Sequence, residues 1–133
     1  MFPIDFLLVG IGGAVGAACR YWLTGLVDAR GSGTFPWGTL AVNTSGALLL
    51  GILAGGLQVS QPEAEAGAAW ILLAVGVLGS YTTVSSFSLQ TFTLLRSGET
   101  ARAVANTGLS FGLCIAAAAL GWVGGMVFLG HGG

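Results

Sequence analysis

Four apolar segments, each long enough to cross a lipid bilayer, dominate the chain. A membrane-spanning helix needs about 20 consecutive, mostly apolar residues, and the sequence predicts such helices over 5–27, 37–57, 67–95 and 103–129. With 7% charged and 54% hydrophobic residues, the chain has too few charges to cover a soluble domain, in which about 25% is usual. We therefore expect one all-α membrane domain over residues 1–133, with no room for a catalytic domain. The net charge of −1 gives no indication of a nucleic-acid partner.

The third apolar segment is interrupted by a polar stretch, Gly-Ser-Tyr-Thr-Thr-Val-Ser-Ser-Phe-Ser, at positions 79–88. Backbone that leaves a helix at bilayer depth is tolerated only where protein buries it or where it lines a water-filled cavity. We predict a break near 79–83 and interpret it as a candidate ion site. Phe87, which follows the break, either lines a cavity or simply packs.

Several uncharged polar side chains lie inside the predicted spans, where they are costly. Thr39 and Asn43 share one face of the second helix, and Asn106, Ser110 and Cys114 follow at four-residue spacing on the fourth. Such a stripe is typical of interhelical hydrogen bonds, worth about 0.6 kcal/mol each. It is equally typical of a pore whose amide and hydroxyl donors replace the water around a small anion. Spacing alone leaves both interpretations open.

Arg20 is the only formal charge well inside a predicted span. One interpretation is that its alkyl stem carries the guanidinium to the membrane interface. The other is that the charge binds backbone carbonyls or attracts anions.

Glycine pairs recur at four-residue spacing, as Gly12/Gly16, Gly51/Gly55, Gly108/Gly112 and Gly121/Gly125. Two positions without side chains on one helix face let another backbone approach closely. The pairs predict a densely packed bundle or oligomer.

No set of residues indicates an enzyme. The single histidine, His131, lies in the C-terminal tail, and no carboxylate lies at the centre of a span for proton-coupled work. Cys19 and Cys114 have no metal-ligand spacing and are expected to pack as small buried residues.

Three segments resemble the Fluc (CrcB) fluoride channels: residues 12–21, Gly-Gly-Ala-Val-Gly-Ala-Ala-Cys-Arg-Tyr; residues 35–43, Phe-Pro-Trp-Gly-Thr-Leu-Ala-Val-Asn; and residues 76–88, which contain the break. The resemblance covers the whole chain in order. It implies a four-helix subunit of the cell membrane that assembles as an antiparallel, dual-topology dimer. It also implies a pair of pores that export fluoride passively down its gradient.

The same resemblance implies roles for individual residues. A central sodium ion would be held by the backbone carbonyls of Gly79 and Thr82 of both subunits. Asn43 matches the pore asparagine, Thr83 and Ser110 match the polar track, and Phe87 matches the second phenylalanine of an aromatic pair. Two positions depart from the pattern, because Val84 stands where the first aromatic is expected and Gln90 where a glutamate is frequent.

Two other functions are weighed against a fluoride channel. A small multidrug-type, proton-coupled exporter would need a glutamate in the first helix, where this chain has Arg20. A non-conducting partner subunit would leave the broken helix unexplained. The arginines nevertheless raise the possibility of a heterodimer, since Arg30, Arg96 and Arg102 lie in the loops after helices one and three and the other loops have none. Such a bias predicts one orientation, with both termini outside.

Overall fold

The computed structural model describes residues 3–31, 33–60 and 67–129. Its helices are α1, Pro3–Arg30; α2, Trp37–Ser60; α3, residues 68–81; α4, Val84–Arg96; and α5, Thr100–Phe128. No β-strand occurs in these described ranges. Because α3 and α4 together form one apolar span over Ala68–Arg96, the described chain has 4 candidate membrane spans, which confirms the predicted number.

Short polar turns join the helices at one end of the bundle. The Asp28 carboxylate accepts a hydrogen bond from the Gly38 N–H at 2.8 Å, which satisfies one of the free donors at the start of α2. Between α4 and α5, Gly98 has a positive φ of 77°, a conformation that favours glycine. Its N–H donates to the Leu95 carbonyl at 3.1 Å, which closes the end of α4.

Close backbone contacts hold α2 against α5. A Cβ placed on Gly121 would meet the Leu48 carbonyl oxygen and lie 3.0 Å from the Ile52 nitrogen. A Cβ on Gly51 would in turn lie 2.9 Å from the Trp122 nitrogen. Both helices therefore depend on residues without side chains at their contact.

The same device holds α1 against α3. A Cβ on Gly12 would lie 3.0 Å from the Gly76 Cα, and Ser80 Oγ donates to the Gly13 carbonyl at 2.8 Å. The predicted packing role is confirmed for Gly12/Gly16, Gly51/Gly55 and Gly121/Gly125. A Cβ on Gly108 or Gly112 would have nothing within 4 Å in the described chain, so this pair does not pack within the bundle, and its packing in an oligomer stays a prediction.

The outer surface of the bundle is apolar. Tyr21 is 85% exposed, Phe128 84% and Leu120 71%. In each span, between 11% and 33% of the most apolar 18-residue stretch is buried inside the chain. Soluble monomers rarely expose continuous apolar surface on this scale, so these faces are suited to lipid or to a second subunit.

The buried interior is small and centres on the third span. Val42, Leu78 and Tyr81 form its core, and the Tyr81 hydroxyl lies 2.8 Å from Ser45 Oγ, within hydrogen-bond distance. Within α3, Ile71–Leu78 is π-helical, a geometry that occurs frequently near functional sites.

Candidate functional site

The third span leaves helical geometry at Thr82 and Thr83. Thr82 has φ −80° and ψ 158°, and Thr83 has φ −151° and ψ 120°, so both are extended. Residues 79–81, which the sequence placed inside the break, are helical. The non-helical backbone is thus confined to these two threonines, between α3 and α4.

Asn43, on α2, holds this extended backbone with both ends of its amide. Its Oδ1 accepts from the Thr83 N–H at 2.7 Å, and its Nδ2 donates to the Thr83 carbonyl at 2.9 Å. In a continuous helix the Thr83 N–H would donate to the Gly79 carbonyl, four residues earlier. Asn43 therefore takes the place of a helix bond and leaves the Gly79 carbonyl without its helical donor. One N–H of the Asn43 amide is not used by these bonds.

Arg20, on α1, contacts the same backbone from the other side. Arg20 is partly buried, and its Nη1 donates to the Thr82 carbonyl at 3.3 Å. The sequence left two interpretations of Arg20, the membrane interface and a bond to backbone carbonyls. The contact in the structure is with a backbone carbonyl. The guanidinium thus satisfies an acceptor that would otherwise lack a partner at membrane depth.

Thr83 also begins α4. Its Oγ1 accepts from the Ser86 N–H at 3.2 Å, a typical N-cap bond, and its hydroxyl lies 3.2 Å from Ser85 Oγ. Part of the polarity of the 79–88 stretch is therefore used to satisfy backbone groups where the helix restarts.

A cavity of about 400 Å³ lies beside the two threonines, between α2, α3, α4 and α5. It brings together most of the predicted site residues, namely Asn43, Gly79, Thr82, Thr83, Val84, Phe87, Ser110 and Cys114. The rest of its wall is Gly46 and apolar side chains, including Leu50, Phe111 and Ile115. The cavity opens to the surface of the bundle, where Val84 is 76% and Ile115 67% exposed.

Two of the polar residues singled out from the sequence lie away from this cavity. Thr39 is 4% exposed and does not belong to the lining. Asn106 is 2% exposed, and its Nδ2 donates to Thr91 Oγ1 at 2.9 Å. The fourth-span stripe is thus divided, because Asn106 makes an interhelical hydrogen bond whereas Ser110 and Cys114 reach the cavity.

Phe111 is a cavity residue that sequence reasoning missed. Its ring packs edge-to-face against Phe87, with centroids 6.3 Å apart and an interplanar angle of 89°. The cavity therefore has two aromatic rings although Val84 is not aromatic. The available signal was its position directly after Ser110, since neighbouring residues on a helix can line one cavity wall.

Gln90 lies outside this cavity. It lines a second one of about 280 Å³, beside Asp28 and the turn between α1 and α2. Its Oε1 is buried and has no hydrogen-bond partner among the residues that the structure describes. Gln90 therefore belongs to the end of the bundle and not to the wall around Thr83.

Comparison with known proteins identifies the group to which the chain is related. The family described as "CrcB-like protein, Camphor Resistance (CrcB)" matches residues 7–122, which include every residue of the cavity. The chain belongs to the CrcB family. Within it, a Rhodopseudomonas palustris protein named "Fluoride-specific ion channel FluC 2" is 42% identical over 121 residues, 91% of this chain and 92% of its own length.

Other CrcB relatives are similar over nearly their whole length. A Hyphomonas neptunium protein named "Fluoride-specific ion channel FluC" is 45% identical over 125 residues, 92% of this chain and 97% of its own. A Brucella suis protein named "Fluoride-specific ion channel FluC 3" is 41% identical over 129 residues, 92% of each chain.

Proposed function

We propose that this chain is a subunit of a fluoride channel and lets fluoride leave the cytoplasm passively. The observation that carries the proposal is the cavity beside Thr82 and Thr83. Its wall is largely apolar, and among the described lining residues the second N–H of Asn43 and the hydroxyl of Ser110 are donors that no protein acceptor uses. Neutral donors can replace the water of a small anion without holding it by a full charge, and conduction requires binding weak enough for the ion to leave.

Membership of the CrcB family favours an ion channel over an enzyme or a proton-coupled exporter. A proton-coupled exporter would need a carboxylate in the first span. This chain has Arg20 there instead, and its guanidinium donates to the Thr82 carbonyl. Export from the cytoplasm would place the protein in the plasma membrane. In a cell with two membranes, this is the inner membrane.

A second subunit is part of the proposal because one chain does not enclose the path. The mouth of the cavity is formed by Val84, Phe111 and Ile115, which are 76%, 61% and 67% exposed. An ion at this position would face lipid on one side, and lipid offers no hydrogen bonds. We infer that a partner, packed antiparallel, covers this face and completes the wall.

A sodium ion at the interrupted span fits the acceptors present. The Gly79 carbonyl lacks its helical donor, because Thr83 donates to Asn43 instead. The Thr82 carbonyl accepts from Arg20 and keeps a second lone pair. The carbonyls of Gly79 and Thr82 would hold the ion, as carbonyl oxygens do in cation filters. When bound, it would offset the dipoles of these carbonyls.

A second candidate is an obligate half of a heterodimer, and the distribution of arginines favours it. Arg102 donates to Thr34 Oγ1, so the α1–α2 and α4–α5 turns lie at one end of the bundle together with the exposed Arg30 and Arg96. Arginines in short loops face the cytoplasm. The numbers in the names FluC 2 and FluC 3 of two relatives are compatible with several subunits per cell.

Fusing a topology reporter to the C-terminus separates a homodimer from a heterodimer. An antiparallel homodimer requires equal populations of the two orientations, whereas the arginine bias predicts a single population with the C-terminus outside. The readout is the ratio between the activities of two reporters, one active only outside the cell and the other active only inside it. Reducing the arginine bias, by Arg30→Gln together with Arg102→Gln, should turn a single orientation into a mixture of both orientations. A ratio near one in the unchanged chain would contradict the heterodimer.

The proposed function is tested in bacteria that lack their own fluoride exporter. Expression of this chain should restore growth in fluoride, with no effect on growth in equal concentrations of chloride. Expression of the Asn43→Asp variant to the same membrane level serves as the control. Failure to restore growth, alone and together with a family subunit of opposite arginine bias, would contradict the proposal.

A further inference from the structure

Cys114 places a free thiol in the wall of the cavity. The residue is unpaired and partly exposed, and its Sγ lies 4.0 Å from Thr44 Oγ1. The other cysteine, Cys19, is exposed on α1 and does not line the cavity. The chain therefore has one thiol inside the candidate path and one outside it.

A second observation shows that the wall beside Cys114 is suited to a ligand. Ser110 lies one turn earlier on α5 and is 9% exposed. Its hydroxyl lines the cavity and has no hydrogen-bond partner among the described residues. The Ser110 side chain is therefore nearly buried while its hydroxyl stays available in the cavity, and a ligand at this position would accept its hydrogen bond.

We propose that Cys114 is a binding and modification site for small thiophilic compounds, organomercury cations and thiosulfonates among them, and that occupation of this site closes the path for the anion. Soft thiolate ligands select soft metals, and a monofunctional organomercurial needs only one. The mostly apolar wall of Leu50, Phe111 and Ile115 would accommodate the organic group. The effect on transport rests on the proposed function, whereas the modification itself does not.

The reaction with a thiosulfonate is a thiol–disulfide type exchange. The Cys114 thiol gives its proton to water, and the thiolate sulfur attacks the sulfenyl sulfur of S-methyl methanethiosulfonate. A new S–S bond to the methylthio group forms, the S–S bond of the reagent breaks, and methanesulfinate leaves with its electron pair. The reagent is the oxidant, and the added group remains until a dithiol removes it by the same exchange.

The added methylthio group would lie next to Ser110 and the Phe87–Phe111 pair. A constriction this close to neutral donors reduces both the width and the number of accessible donors, on which selectivity and conduction depend. The change introduces no charge, so any loss of transport reflects occupancy and not repulsion.

The experiment treats the reconstituted chain, and the Cys114→Ser and Cys19→Ser variants, with S-methyl methanethiosulfonate. Peptide mass spectrometry gives the modified cysteine, and fluoride efflux is compared before treatment, after it and after dithiothreitol. We expect modified Cys114 and a reversible loss of efflux of at least about tenfold, because conduction depends on the width and the donors that the added group reduces. Treated Cys19→Ser should show the same loss, and treated Cys114→Ser should show none.

Three results would overturn the proposal: an unmodified Cys114, a modified Cys114 with undiminished efflux, or equal inhibition of Cys114→Ser. If the untreated chain releases no fluoride, even with a partner subunit, the proposed function fails. The mass spectrum then decides on its own whether the modification site exists.

Discussion

Replacing Asn43 by Asp is expected to lower fluoride efflux per folded channel at least about 100-fold, because it puts an anionic acceptor where the cavity has an amide donor. Two like charges 4 Å apart repel by about 4 kcal/mol at an effective dielectric constant of 20, and about 1.4 kcal/mol corresponds to a tenfold change. The measurement is efflux from liposomes, normalised to the folded fraction on a sizing column.

Asn43→Asp should also destabilise the fold. Aspartate can still accept from the Thr83 N–H but cannot donate to the Thr83 carbonyl, to which the amide donates at 2.9 Å. A buried group left without its partner costs about 1–3 kcal/mol. The two bonds to Thr83 thus predict an effect of Asn43→Asp on folding as well as on transport.

The matched control for this prediction is Asn106→Asp. Asn106 is equally an asparagine inside a span, but it binds Thr91 and does not line the cavity. It should lose stability and keep its efflux per folded channel. Equal efflux from Asn43→Asp and the unchanged chain, with both folded, would show that the cavity is not the fluoride path.

Replacing Gly121 by Ala is expected to lower the free energy of unfolding by about 1–3 kcal/mol, the usual cost of overpacking a close contact. The added Cβ would meet the Leu48 carbonyl and lie 3.0 Å from the Ile52 nitrogen. Backbone atoms cannot rotate away as a side chain can, so α2 and α5 must separate. Thermal unfolding in detergent measures the change.

Gly124→Ala is the matched control, three residues further along the same helix. A Cβ there would have nothing within 4 Å in the described part of the chain, and alanine is the better helix former by about 1 kcal/mol. Gly124→Ala should therefore leave the unfolding temperature unchanged or raise it. If both variants behaved alike, close packing of α2 on α5 would not stabilise the fold.

Elements whose physical cause is local were predictable from the sequence. The length and apolarity of the four spans are such properties, and the described residues contain 4 candidate spans, as expected. The spacing of Gly51 and Gly55 indicates a small-residue face but not its partner, which is another helix more than sixty residues away in sequence. Gly108 and Gly112 have the same spacing, but a Cβ on either would have no atom of another described helix within 4 Å.

The site was predictable in its residues and less so in its geometry. The non-helical backbone lies at Thr82 and Thr83 because Asn43, on another helix, takes the Thr83 N–H. Local composition predicted the break over 79–83, which includes both threonines but also the helical residues 79–81, since glycine and serine weaken a helix wherever they occur. The roles of Arg20 and Asn106 stayed open for the same reason, because each was decided by a partner in a different span.

The proposed fluoride channel is tested most directly by measuring which halide the purified chain releases from liposomes. Vesicles loaded with fluoride and chloride are diluted into a medium free of both, an ionophore relieves the membrane potential, and two ion-selective electrodes follow the efflux. We predict rapid, nearly complete fluoride release with chloride retained. Equal release of the two halides would contradict the account, as would no fluoride release from this chain alone and together with a family subunit of opposite arginine bias.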